Sequence, residues 1–235
     1  MQLFRVVNIE DEVVGVEMDT KSRQIPARIK RTIELTPLFK AVVDFWESSG
    51  VRLDTALLAI FCFPNYSPAL ENALDLGLRT FPTSYFSTKE TIISVSTDDL
   101  YTMLECCLRN MNGFDIGDSR YIWEYLWERA RQEWHAGCMS RYNCLFAFRE
   151  KSEAEKYLDE RRKERTAGLN DIICLVDVKD NSVIETYDMR WLDNMETSAT
   201  YDEYKQAVDN YWSSKTTAQP MMEILLHGVY KLTPA

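Results

Sequence analysis

The stretch MMEILLHGVYKL, residues 221–232, holds an apolar run interrupted by one acidic residue, Glu223, and one glycine, Gly228. This pattern predicts a long strand over 221–232 with a kink at Gly228, since a glycine inside a strand marks a bend or a close backbone approach. Strand alternation puts Glu223 opposite Met222, Ile224 and Leu226, with Met221 and Leu225 on its own face. A carboxylate in this setting is either an outward-facing edge residue or a functional group held in a partly apolar cleft. Arg5, inside Leu3-Phe4-Arg5-Val6-Val7, poses the same choice between a solvent-facing position and a cation aimed at a phosphate or carboxylate.

Further strands are expected towards both ends of the chain. Residues 171–178 (DIICLVDV) and 183–187 read as a hairpin turning at Asp180-Asn181-Ser182, and Tyr142–Phe148 reads as a buried strand. The N-terminus alternates, and Val13, Val14 and Val16 follow an acidic turn, which predicts two short strands. Between these ends the signals are mostly helical. Thr36-Pro37 opens a helix to about Ser49, Ala56–Phe63 suggests another, and Ser67-Pro68 starts one through about Leu78. Residues 91–96 read as a short β-branched strand, and Thr97-Asp98-Asp99 is expected to cap a helix that Asn112-Gly113 would end. Ile122, Trp123, Leu126, Ala130 and Trp134 make the apolar stripe of an amphipathic helix, read as core rather than as a base-stacking platform. Ser152-Glu153-Ala154-Glu155 reads as a capping box for a charged helix to about Arg165, and Tyr201–Trp212 is helical. The expected class is α+β with mainly antiparallel pairing, a single domain over 1–235 with a helical block inserted at about 36–135.

The chain has 235 residues, 46% hydrophobic and 27% charged, which excludes disorder as its main state. No apolar run approaches the roughly 18 to 20 residues of a membrane span. The acidic, alternating N-terminus does not resemble a signal peptide, so a cytoplasmic location is expected. A net charge of −10 disfavours coating of a polyanion; Lys21–Arg31 is the one dense basic stretch, read as a solvated loop face. Six cysteines without CxxC spacing point to reduced structural thiols, and His135 and His227 lie too far apart in the chain to suggest a zinc site. His135 is read as a helix C-terminal cap. Walker A, GxGxxG, GxSxG and HExxH motifs are missing from the sequence.

Three pieces in order carry a resemblance: Leu3-Phe4-Arg5; Leu145-Phe146-Ala147-Phe148 followed by Ser152, Ala154 and Tyr157; and Glu223 through Gly228. Together they resemble the ADP-ribosyltransferase superfamily. The stretches DMRWL (188–192), NYWSS (210–214) and MMEILLHG (221–228) are also similar to a small bacterial family associated with it. The resemblance implies a split antiparallel β-sheet core, NAD as substrate, and transfer of ADP-ribose to a macromolecule, nucleic acid or protein, with release of nicotinamide. It implies that Glu223 acts on the nicotinamide ribose and that Arg5 contacts NAD. Tyr142 is the expected middle residue of the catalytic set, with Cys144 and Phe146 as alternatives. Arg141 would join Arg5 on the pyrophosphate, Tyr142 or Phe146 would stack the nicotinamide, and Tyr157 would line the site. The biological setting implied is a toxin or phage-defence effector restrained by an antitoxin or inhibitor protein. A NAD glycohydrolase, or an interaction module docking through the aromatic helical block, remain alternatives.

Overall fold

A computed structural model of the protein describes residues 2–9, 12–23, 25–61, 68, 85–87, 92–94, 97–110, 116–163, 168, 170–179 and 181–235. Its strands in chain order are β1 (Gln2–Asn8), β2 (Glu17–Asp19), β3 (Tyr85–Ser87), β4 (Ile92–Ser94), β5 (Leu145–Ala147), β6 (Asp171–Val178), β7 (Val183–Asp188), β8 (Met222–His227) and β9 (Val229–Pro234). The described strand pairs are all antiparallel, so the chain is of mixed α+β class. It divides into two compact units, one made of Met1–Pro26, Glu128–Asn194 and Val208–Ala235, the other of Ala27–Trp127 and Met195–Ala207.

The first unit holds two sheets, a four-stranded one in the order β1-β6-β9-β2 and a three-stranded one in the order β5-β8-β7. Leu3 and Val7 of β1, Cys174 and Val176 of β6, Ile224 and Leu226 of β8, and Tyr230 and Leu232 of β9 bury together in one core. The other face of β1 and β6 carries Phe4, Val6 and Ile173. These pack with Phe148, Met221, and Ala154 and Tyr157 of the helix Lys151–Lys163. Because side chains alternate along a strand, Arg5 shares the face of Leu3 and Val7 and points inward, so the solvent-facing reading of Arg5 is overturned.

Residues 221–232 are two strands in two sheets rather than one kinked strand. At Gly228, φ is +144°, a conformation open to glycine, and the chain leaves the three-stranded sheet as β8 and enters the four-stranded one as β9. The neighbouring chain crosses at the same level: Val178 pairs with Tyr230 in one sheet and Val183 with His227 in the other. β6 and β7 are therefore not the expected hairpin. Their connection switches sheets beside Gly228, tied by Lys179 N–H to Val229 O (3.0 Å) and closed tightly by Ser182, whose Cα would lie 2.9 Å from a Cβ at 228.

Other expectations shift locally. β2 begins after Val16, not within Val13–Val16. The strand expected over Tyr142–Phe148 is only Leu145–Ala147, because Arg141–Asn143 forms a 3-10 turn capped by Ser140 Oγ, which accepts from Tyr142 N–H (3.2 Å). The helix Lys151–Lys163 is capped two residues early: Glu153 accepts from the backbone N–H of Glu150 (3.1 Å), and Ser152 sits inside the first turn.

The second unit contains the helices Ala27–Glu34, Thr36–Ser49, Leu53–Phe61 and Thr97–Asn110, and β3 paired with β4. Part of the basic stretch read as a loop is thus helical: Ile29 and Thr32 turn inward, while Arg31 pairs with Glu34 (3.2 Å) and Arg28 with Glu124 (3.5 Å). Trp46 packs edge-on to Tyr201, with ring centres 5.3 Å apart, and Tyr204 donates to Leu126 O (2.7 Å). Ile122 and Leu126 of the apolar stripe are fully buried, so this part of it is core as expected, whereas Trp134 is exposed. The helix expected from Ser67 to Leu78 and the stop at Asn112-Gly113 lie almost wholly outside the described residues. Among the described residues, no helix is long and apolar enough to cross a membrane.

Candidate functional site

Glu223 lies on β8, the central strand of its sheet, paired with Tyr187 of β7, and both faces of β8 are covered. It is only 4% exposed, which overturns the edge-strand reading. A carboxylate so far from water needs compensating donors, and here there are two. Arg141 donates from Nη1 to Glu223 Oε1 at 2.5 Å, and the Tyr211 hydroxyl donates to the same oxygen at 2.7 Å. The same Arg141 nitrogen also donates to the Tyr211 oxygen at 2.6 Å, closing a three-membered ring of polar contacts.

Each member is placed by its own element. Arg141 opens the 3-10 turn before β5, and its guanidinium carbon sits 4.6 Å from the ring centre of Phe146, a cation–π contact. That turn is braced from behind: buried Glu128 accepts from Ser140 Oγ (3.0 Å) and from Arg131 Nε, and Ser140 caps the turn. Tyr211 comes from the end of the helix Tyr201–Trp212 and stacks on Tyr187, ring centres 4.7 Å apart and planes 25° from parallel. Burial pushes the Tyr211 phenol well above its ordinary pKa, opposed by Arg141 and reinforced by Glu223, so the hydroxyl stays protonated and remains a donor. Tyr187 is itself anchored, donating to Glu185 Oε2 at 2.7 Å.

Asp188, at the end of β7, holds the approach to β8. It is fully buried and accepts from Thr217 N–H and Oγ1 (both 2.7 Å), Met221 N–H (3.0 Å) and Arg190 N–H (3.1 Å). The three donors from Thr217 and Met221 tie the segment that enters β8 to the strand beside it.

Arg5 is held one step away. Its Nη1 donates to the backbone oxygen of Phe146 (2.6 Å) and its Nη2 to Glu12 Oε1 (2.7 Å). Glu12 Oε1 also takes Arg23, whose Nη1 reaches Cys144 O (3.4 Å). Burial lowers the Arg5 pKa, with Glu12 opposing that change and Arg23 adding to it.

Of the residues singled out from the sequence, Arg141, Phe146 and Glu223 meet directly, and Arg5 joins them through the Phe146 backbone. Tyr142 follows Arg141 but borders a separate, solvent-open cleft lined by Thr20, Lys21, Arg23, Ile25, Pro26, Asn143 and Cys144. Tyr157 packs on Phe148, ring centres 5.2 Å apart, in the core behind β1. His135 faces Asp209 (3.3 Å), and His227 ends β8. Sequence reading did not assign Tyr211, Glu12, Arg23 or Asp188 to a site. Tyr211 and Asp188 fall inside the quoted stretches NYWSS and DMRWL, which was the available signal.

Residues 85–233 match the model of a family described as a protein of unknown function (DUF2441). No curated protein matches the chain.

Proposed function

The chain belongs to the DUF2441 family, and we propose that it is an NAD-dependent ADP-ribosyltransferase with an ADP-ribosyltransferase-like split-sheet core in its first unit. The observation that carries this reading is the setting of Glu223: the carboxylate that the motif resemblance makes catalytic is held by Arg141 and Tyr211 beside the aromatic face of Phe146. In this reading the ribose–nicotinamide bond breaks, nicotinamide leaves with the electron pair, and positive charge develops on the ribose. Glu223 stabilises that charge, and the attacking acceptor atom loses its proton as the new bond forms. A carboxylate fixed by existing hydrogen bonds needs little reorganisation to do so. Both donors bond to Oε1, so in this reading Oε2 is the oxygen that turns to the ribose while Arg141 and Tyr211 hold the carboxylate. An enzyme of this kind acts on cytoplasmic nucleic acid or protein, and its producer needs an antitoxin or inhibitor as partner.

The test is incubation of the full chain with NAD labelled in the adenylate half, with separate pools of protein, RNA and DNA. Label retained on one pool with stoichiometric free nicotinamide is the expected result. Free ADP-ribose without labelled macromolecule reassigns the acceptor to water, and intact NAD in every pool removes the enzyme reading. One observation favours a second reading: with 4% exposure, Glu223 sits as a structural ion pair would, clamping the helix Tyr201–Trp212 to β8.

A further inference from the structure

Glu223 Oε1 takes its two donors from outside β7 and β8: Arg141 from the turn before β5, and Tyr211 from the end of the helix Tyr201–Trp212. Where the second carboxylate oxygen points depends on where these donors stand. A long guanidinium side chain and a phenol ring are only as well placed as the segments that carry them. Both segments lead to one atom. Glu185 stands on β7 opposite Leu225, and Tyr187 opposite Glu223, so strand alternation puts Glu185, Tyr187 and Glu223 on one face. Glu185 Oε2 accepts from the backbone N–H of Met139 (2.7 Å), just ahead of Arg141, and from the hydroxyl of Tyr187 (2.7 Å), on whose ring Tyr211 stacks. Burial pushes the Tyr187 phenol above its ordinary pKa, reinforced by Cys138 and Glu185, so the hydroxyl remains a donor. Glu128 adds a second hold on the same turn at Ser140. Arg131, bidentate on Glu128 and bonded to Cys138 O (3.1 Å), lies within electrostatic reach of Glu185.

We propose that Glu185 is a positioning residue for the Glu223 site: through Met139 it sets the turn that carries Arg141, and through Tyr187 the ring on which Tyr211 stacks, so that both donors reach Glu223 Oε1 together. Bonds from an N–H and an O–H to an ionised acceptor are shorter and stronger than neutral ones, which suits an atom that holds two segments in register. The pairing partner of Glu185 is Leu225, not Glu223, so it acts through Arg141 and Tyr211 rather than on the reacting atoms. With Oε1 held in this way, Oε2 is the oxygen presented to the ribose. The effect of Glu185 on turnover rests on the transfer reading; its effect on the Arg141–Tyr211–Glu223 ring rests on the contacts alone.

Two variants of the full chain separate position from bulk stability. Glu185→Leu accepts from neither donor, whereas Glu185→Gln keeps an acceptor oxygen able to take both, since both bonds end on one atom. Urea midpoints are measured for Glu185→Leu in the native chain and in Arg141→Met with Glu223→Leu, where the ring is gone. The midpoint shift in the second background is expected to be about half or less of that in the first. Equal shifts overturn the proposal, because a residue that only stabilises the fold adds independently. In transfer from NAD, Glu185→Leu is expected to lower kcat about tenfold or more with KM within about twofold, and Glu185→Gln to recover most of that loss. Unchanged kcat in folded Glu185→Leu, a change confined to KM, or Glu185→Gln as impaired as Glu185→Leu overturns the proposal and spares the transfer reading. No transfer by any chain, the native one included, ends the transfer reading, and the midpoints then decide the role of Glu185. Should Glu185→Leu not fold, Tyr187→Phe, which keeps the stacked ring but not its anchor, takes its place in the same comparison, and equal midpoint shifts again overturn the proposal.

Discussion

Arg141 and Glu223, 82 residues apart in the chain, meet at 2.5 Å with both side chains less than a tenth exposed. The pair joins the turn before β5 to the central strand of the same sheet, and Tyr211 bonds to both partners. A contact of this kind carries two obligations: each charge depends on the other for solvation, and any chemistry asked of Glu223 must proceed with that bond in place.

Gly228 is the point where β8 becomes β9, and its φ of +144° excludes side chains on dihedral grounds alone. Gly228→Ala is expected to lose at least the roughly 1 to 3 kcal/mol of a strained backbone position, with crowding against Ser182 in addition. Urea unfolding of Gly228→Ala and of Gly228→Ala with Ser182→Gly separates the two causes. The double variant should recover only the crowding component; full recovery would mean that the dihedral angle is not the constraint.

Asp188 is expected to govern the acid limb of stability. Burial pushes its carboxyl up, but the bonds from Thr217, Met221 and Arg190 outweigh that and hold it below its ordinary value of 3.8. A carboxyl depressed on folding stabilises above the unfolded pKa, so its contribution is complete above about pH 5 and is lost as pH falls through the lower folded value. Asp188→Asn should flatten that limb below about pH 4 and cost roughly 1 to 3 kcal/mol at neutral pH, where four donors lose their charged acceptor. Denaturation midpoints across pH 3 to 8 are the measurement, and an unchanged acid limb would remove Asp188 from this role.

The thiols should divide by burial. Cys107 is pushed up to about 12, first by burial and then by Cys106, and burial likewise raises Cys174 against the opposing charge of Arg5. Cys144 is also buried, whereas Cys106 and Cys138 are partly exposed. Alkylation with iodoacetamide at pH 8, followed by peptide mapping, should modify Cys138 and Cys106 well before Cys107, Cys144 and Cys174. Early labelling of Cys174 would contradict the packing of β1 on β6.

Sequence periodicity located most described elements but not their partners. Residues 171–178 form a strand with the bounds expected from their apolar alternation. The turn signal at Asp180-Asn181-Ser182 is equally compatible with a hairpin and with a crossing between sheets, and the crossing is decided by the pairing of Val178 with Tyr230 and Val183 with His227, contacts that no local pattern encodes. The same distinction runs through the site. Glu223 and Arg5 stand out because a charge in an apolar strand is conspicuous. Tyr211 does not, because in the helix Tyr201–Trp212 it is one aromatic among several on the buried side. Glu12 and Arg23 lie where no helix or strand period applies, so only the fold brings both to one oxygen atom. Tyr142 was misplaced because Tyr142–Phe148 reads as a continuous strand, whereas the Ser140 cap turns its first residues into a 3-10 element.

The last prediction separates the two readings of Glu223. Glu223→Gln leaves Arg141 facing a neutral amide in a buried site, so this change costs stability as well as charge. Breaking a buried pair by removing one charge costs up to roughly 3 to 5 kcal/mol, and the amide's remaining hydrogen bonds place this variant towards the lower end. Arg141→Met alone strands the carboxylate and should lie at the upper end. Replacing both, Arg141→Met with Glu223→Leu, removes both charges from the interior and should regain most of the stability lost by the single changes. If the pair is only a clamp, stability is all that these variants alter. If Glu223 also stabilises charge on the ribose, transfer from NAD by Glu223→Gln falls at least about 100-fold, measured where the variant is still folded, and the double variant regains stability without regaining transfer. A folded Glu223→Gln protein with wild-type transfer would end the catalytic assignment, while a double variant no more stable than Arg141→Met would show that the two charges are not coupled as their 2.5 Å contact requires.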